Sequence, residues 1–143
     1  MEQRDKSLSE IIACSEVREG KYMARVMIVD DAELMRMIMR DILLMHGHEV
    51  VAEVSDGEEA IQTYLEVKPD LVLMDLIMPN MDGKEALLKL LSLDPEAKVV
   101  LCSSLGQQAL ITESMKIGAM GFIVKPFETD GMLDVIKKIA EPN

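Results

Sequence analysis

Residues with phosphoryl and metal chemistry stand directly after four short apolar runs. Asp30-Asp31 follow Val26 to Val29, Asp75 follows Leu71 to Met74, Ser103-Ser104 follow Val99 to Cys102, and Lys125 follows Gly121 to Val124. Singly, each has an ordinary explanation, since short polar side chains cap helices and close turns. Asp75 can open the turn LIMPNMDG, and Lys125 can be a solvated charge before Pro126. Together they ask for more, because three neighbouring carboxylates resist ionising unless a cation joins them. Carboxylates with a backbone carbonyl form an oxygen site suited to Mg2+, which keeps several waters and usually meets a phosphate. A carboxylate can also attack phosphorus and become an aspartyl phosphate. An ammonium and a hydroxyl would then hold the remaining phosphoryl oxygens while the metal screens their charge.

Such a cluster needs elements that deliver it to one edge. A fifth apolar run, Val50 to Val54, joins the four above, and several of the five are β-branched and continuously apolar. That is the pattern of strands covered on both faces of a parallel sheet. Between them lie segments of helical period. Ala32 to Met45 places Leu34, Ile38, Ile42 and Met45 on one stripe and stops near Gly47, a helix-ending residue. Gly57 to Val67 carries Ala60, Ile61, Tyr64 and Leu65; Lys84 to Leu93 carries Leu87, Leu88 and Leu91; Gln107 to Ile117 carries Leu110, Ile111 and Met115. Asp130 to Ala140 carries Met132, Leu133, Ile136 and Ile139. Alternating βα units with short, right-handed connections imply a doubly wound α/β sheet. In such sheets ligands bind beyond the carboxyl ends of the strands, where the polar residues stand.

The 143 residues fit one domain, and the formal charge of −11 leaves no basic stripe for nucleic acid or anionic lipid. No run is apolar and long enough to span a membrane or serve as a signal peptide. Cys14 and Cys102 are far apart without C-x-x-C spacing, so free thiols in a reducing cytoplasm are expected. Thirteen Met are read as flexible core filler before an adaptable partner surface. His46 and His48, in the turn before the second strand, lie away from the acidic edge and are read as surface residues. Residues 1–22 stand outside the βα pattern; Leu8, Ile11, Ile12 and Ser15 could line a weak amphipathic helix, an unstructured leader fits equally well, and Met23 could itself begin a complete domain.

The stretches MIVDDAELMR, DLVLMDLIMPNMDG, VVLCSSLGQQ and GFIVKPF, in that order, resemble receiver domains of two-component response regulators. Within that family the likeness is to stand-alone chemotaxis regulators of the CheY type, over roughly residues 25–140. The resemblance implies a flavodoxin-like, doubly wound sheet of five parallel strands in the order 2-1-3-4-5, with residues 1–22 a leader and 23–143 the receiver. It makes Asp75 the phosphoacceptor for a separate histidine kinase. Asp30 and Asp31 become the acidic pair, with Asp31 the direct Mg2+ ligand, and the Ile77 carbonyl completes the metal set. Ser103 becomes the hydroxyl that moves to the phosphoryl group, Lys125 its ionic partner, and Phe122 the aromatic switch position. The Lys125-Pro126 bond is expected to be cis. A motor-switch or adaptor protein would read the face formed by the fourth helix, fifth strand and fifth helix, and a phosphatase would end the signal. The expected protein is a cytoplasmic monomer that switches partners and catalyses only its own phosphorylation and dephosphorylation.

Ser104 departs from the Ala often found there, and residues 1–22 are absent from minimal receivers. A haloacid-dehalogenase phosphatase also uses an aspartyl nucleophile, but its D-x-D pattern fails at Asp30, which has Ala32 at that spacing. A degenerate receiver acting as an adaptor would lack the acceptor, an acidic residue or the lysine, and all are present. With no DNA-reading element before Asn143, a transcription factor is not expected. A chemotaxis messenger leads, and a phosphorelay intermediate is the runner-up.

Overall fold

The computed structural model describes residues 23–141. The expected leader and Cys14 lie outside them. Among the described residues five strands alternate with five helices: β1 Arg25–Val29, α1 Glu33–Met45, β2 Glu49–Val54, α2 Gly57–Val67, β3 Leu71–Asp75, α3 Gly83–Leu93, β4 Val99–Ser104, α4 Gln108–Ile117, β5 Gly121–Lys125 and α5 Thr129–Ala140. All pairings are parallel, and the strand order is β2-β1-β3-β4-β5, as expected.

Chain handedness explains which helix covers which face. The step from β1 to β2 runs one way along the sheet, and every later step runs the other. Right-handed crossovers therefore put α1 on one face and α2, α3 and α4 on the opposite one. Alternating side chains serve two cores. Met27, Val29, Val72, Met74, Val99 and Leu101 pack with α2, α3 and α4. Val26, Ile28, Leu71, Leu73, Val100 and Cys102 pack with α1 and α5. Each fully buried Leu or Met contributes about 1.5–3 kcal/mol of transfer free energy.

Helix phasing departs from the expected stripes. In α1 the buried residues are Met39 and Leu43, with Met35 and Ile42 packed beside them, while Leu34, Ile38 and Met45 are exposed. Nine of its thirteen residues are apolar, so a 3.6-residue period can be drawn in several phases, and contact with the sheet selects one. Likewise Leu65 of α2 and Leu88 of α3 face outward, and Leu90 is buried.

The reversal of winding lies between β1 and β3, where the outgoing loops diverge and leave a crevice. Gly83 lets α3 press against the end of β3. A Cβ there would stand 2.5 Å from the Asp75 carbonyl oxygen and 2.7 Å from the Leu76 Cα. The Gly83 N–H donates to the Leu76 carbonyl at 2.8 Å, and the Asp82 side chain caps α3 at the Glu85 N–H. The segment after Asp75 is thus a compact turn that returns at once to the sheet.

Candidate functional site

Asp75, Ser103, Ser104 and Lys125 are the closing residues of their strands, not the first residues beyond them. Their backbones are therefore fixed by sheet pairing: Asp75 lies opposite Cys102, Ser103 opposite Val124 and Ser104 opposite Lys125. Asp30 follows β1 directly and is fully buried; its N–H donates to the Val54 carbonyl of β2. Four neighbouring strand ends so converge on the crevice.

One carboxylate oxygen from each of Asp30, Asp31 and Asp75 lies within 4.8 Å of the others. Mg–O bonds near 2.0–2.1 Å put opposite ligands about 4.2 Å apart, so oxygens within 4.8 Å of one another need only a small adjustment to meet one ion. Both oxygens of Asp30 already have donors. Oδ1 accepts from the Ala32 N–H at 2.9 Å, and Oδ2 accepts from Lys125 Nζ at 2.9 Å. Asp31, the exposed member of the three, is thereby the freer donor to a cation. The same ammonium lies 3.5 Å from Asp75 Oδ1.

Burial raises the Asp75 carboxyl above its ordinary value, against the attraction of Lys125 and a backbone hydrogen bond from Ile77; Asp30 adds repulsion. Burial also works against the Lys125 charge, but its hydrogen bond to Asp30 and the field of both carboxylates outweigh it and hold the ammonium above its usual value. The edge is a cluster of three carboxylates in which one ammonium pairs with two. Such an arrangement favours a further cation and a group with anionic oxygens.

Ser103 is fully buried, and its Oγ has no hydrogen-bond partner. Lys125-Pro126 is cis, as expected. Ile77 and Leu105 are exposed beside the edge, at 51 % and 77 %. Phe122 is on β5 but not at the acidic cluster: its half-exposed ring lines a groove of about 490 Å³ with Ile111, Thr112, Met115 and Lys116 of α4. Cys102 is buried and its thiol is pushed up to about 12, chiefly by burial, which leaves it inert. His48 Nδ1 accepts from the Ala24 N–H at the opposite edge of the sheet, and His46 Nδ1 lies 2.9 Å from the Ile42 carbonyl.

Two residues at this edge escaped the sequence reading. Arg36 donates from Nη1 to the Asp30 carbonyl at 2.6 Å, while its Nε lies 3.6 Å from Glu53 of β2, which also pairs with Arg40. Gln107 accepts from the Ser104 N–H at 2.7 Å. An Arg six residues past an acidic pair and a Gln opening a helix carry no distinctive spacing signal.

Residues 26–137 match the response regulator receiver domain family. The chain is 45 % identical over 117 residues to the chemotaxis protein CheY of Thermotoga maritima, covering 82 % of this chain and 98 % of that one. It is 47 % identical over 114 residues to CheY of Bacillus subtilis, covering 80 % and 95 %. Among solved structures it resembles the Borrelia burgdorferi CheX–CheY–BeF3–Mg complex, with 32 % identity, a TM-score of 0.77, and 80 % of this chain and 87 % of that chain covered. The response regulator domain of Thermotoga maritima CheB is similar at 33 % identity and a TM-score of 0.77, covering 85 % and 99 %. Family match, fold and strand-end carboxylates agree: the chain belongs to the response regulator receiver family, as a CheY-type member.

Proposed function

We propose that the protein is a chemotaxis messenger that takes a phosphoryl group from a phosphohistidine of a separate kinase onto Asp75. The observation that carries this reading is the convergence of three carboxylates within 4.8 Å beside an ammonium bonded to one and 3.5 Å from another. An Asp75 oxygen attacks phosphorus, the N–P bond breaks, and the imidazole leaves with the electron pair. Asp31, Asp75 and the Ile77 carbonyl, with Asp30 behind them, would hold Mg2+, which would supply charge screening for the transferring oxygens. Lys125 contributes the fixed positive charge. Ser103, whose hydroxyl has no partner in the resting protein, closes on the phosphoryl oxygens and gains one.

That movement is read out at the groove where Phe122 meets α4, and a motor-switch or adaptor protein recognises the face built by α4, β5 and α5. Receiver-domain response regulators are signalling switch proteins; this one would catalyse only its own phosphorylation and dephosphorylation, and a phosphatase would end the signal. A cytoplasmic setting fits: among the described residues no helix is long and apolar enough to cross a membrane.

The test is incubation with a small acyl phosphate or phosphoramidate and Mg2+, followed by mass spectrometry of the peptides. One phosphoryl group on Asp75, absent in Asp75→Asn and suppressed by a chelator, is the expected result. A group located elsewhere, or labelling indifferent to chelation, overturns the assignment.

A further inference from the structure

β4 ends at Ser104 and α4 begins at Gln108, so three residues, Leu105-Gly106-Gln107, join them. The turn uses Gly106 at φ +92°, a region that favours glycine. Gln107 bolts the two elements together. Its carbonyl accepts from the Ile111 N–H at 3.0 Å, which opens α4, while its side-chain Oε1 accepts from the Ser104 N–H at 2.7 Å. A Ser, Thr, Asp or Asn in this place ordinarily turns its side chain forward onto the first N–H groups of its own helix. Gln107 makes no such cap bond and reaches back to the strand.

What the bolt holds is a resting arrangement with an unmet hydrogen bond. Ser103, one residue before the bolted N–H, is buried with no partner for its hydroxyl. On the other side of the turn, α4 carries Gln108, Ile111, Thr112 and Met115, which line the groove completed by Phe122 and Val124 of β5. The turn is thus the covalent link between Ser103 and the α4 wall of the groove.

We propose that Gln107 is a positioning residue whose side-chain amide latches the β4–α4 turn in the resting geometry. This rests on the reading of Ser103 as the hydroxyl that closes on phosphorylated Asp75. Movement of Ser103 carries the adjacent Ser104 N–H with it, breaks the bond to Gln107 and frees the start of α4 to shift at the groove. One neutral hydrogen bond made in only one of two states weights their ratio by about two- to tenfold. The latch therefore keeps the unphosphorylated protein off, and it lowers the fraction poised to accept a phosphoryl group by that factor.

The test uses the full chain, isotopically labelled for NMR, as wild type, Gln107→Leu and Gln107→Glu. Leucine removes the acceptor at similar size, and glutamate keeps one. In Gln107→Leu the Ser104 amide signal should move to that of a solvent-exposed N–H. The Met115 methyl signal of the unphosphorylated variant should move toward its position in phosphorylated wild type, and phosphorylation by subsaturating small donor should quicken about two- to tenfold. Gln107→Glu should follow wild type in the Ser104 and Met115 signals, a rescue that loss of local packing would not give. A Ser104 amide unmoved in Gln107→Leu shows that the bond is not made in solution and overturns the latch. So does a moved Ser104 amide with Met115 and the phosphorylation rate unchanged, because then the bond exists without coupling. Failure of the underlying reading looks different: wild type itself would take no group on Asp75, or would take it without moving Met115.

Discussion

Replacing Lys125 with Met should destabilise the protein sharply in metal-free buffer. The Lys125 ammonium sits between two carboxylates, 2.9 Å from Asp30 Oδ2 and 3.5 Å from Asp75 Oδ1. The Asp30 side chain is 1 % exposed, and its other oxygen is already engaged by the Ala32 N–H. Losing the ammonium leaves Oδ2 without a donor and beyond the reach of water. Breaking a buried pair by removing one partner costs about 3–5 kcal/mol. Lys125 and Asp75 keep some contact with solvent, at 16 % and 13 %, so the lower end applies. For a domain of this size about 3 kcal/mol corresponds to a fall of roughly 9–15 °C in Tm. Asp30→Asn in the same background removes the stranded charge and should recover most of the loss. Millimolar Mg2+ should recover part of it by supplying a replacement cation. The pair holds Lys125 above its ordinary value although burial opposes this, so its contribution is complete below the ordinary lysine pKa and fades as pH rises through the folded one. The assay is thermal and urea denaturation of wild type, both single variants and the double variant, in chelator and in Mg2+. A Lys125→Met protein melting within about 2 °C of wild type in chelator, or no recovery from Asp30→Asn, refutes the reasoning.

Mg2+ alone should stabilise the unphosphorylated protein by about 1.4 kcal/mol at ten times its dissociation constant. Asp31→Ala should lose most of that gain; an unchanged melting temperature across millimolar Mg2+ counts against a metal site. Asp75→Asn should be more stable than wild type at neutral pH without metal, because burial raises the folded carboxyl above its unfolded value. A group raised in this way favours folding as pH falls through its folded pKa, so the gap between variant and wild type should narrow on acidification. Urea melts showing no gap at neutral pH contradict this. Ile77, two residues past Asp75, and Leu105, two past Ser103, are bulky, exposed and apolar and cannot orient a water, which on the proposed function predicts slow intrinsic dephosphorylation. Ile77→Asn should speed decay of the phosphorylated protein about ten- to a hundredfold, roughly 1.4–2.8 kcal/mol of barrier. Decay after donor removal that is equal in wild type, Ile77→Asn and Leu105→Glu removes these side chains from the mechanism. Ser114→Ala should raise stability by about 1 kcal/mol, since the Ser114 hydroxyl is buried in α4 without a partner. A lower denaturation midpoint in that variant would mean that the hydroxyl is bonded in solution.

The order of elements, the doubly wound sheet and the edge at which polar residues collect were legible in the sequence. Both faces of a parallel sheet are buried, so its strands are written as continuous apolar runs, and each polar residue at a run's end is displayed at one rim. Asp30, Asp31, Asp75, Ser103 and Lys125 could be assigned to that rim from local pattern alone. Their partnerships could not. Lys125 reaches Asp30 across 95 residues, and whether an ammonium meets one carboxylate or two depends on how four strand ends are staggered. The inner face of α1 was equally hidden, because nine of its thirteen residues are apolar and so wide a face admits more than one stripe; the sheet beneath chooses Met39 and Leu43 over Leu34 and Ile38. Arg36 on the Asp30 carbonyl and Gln107 on the Ser104 amide are contacts between a helix and a loop or strand end beside it. Periodicity says which way a backbone runs and which residues alternate. Where a flexible polar side chain finds its donor or acceptor is settled when the elements pack, because a buried polar group must be paired with whatever the fold has brought within reach.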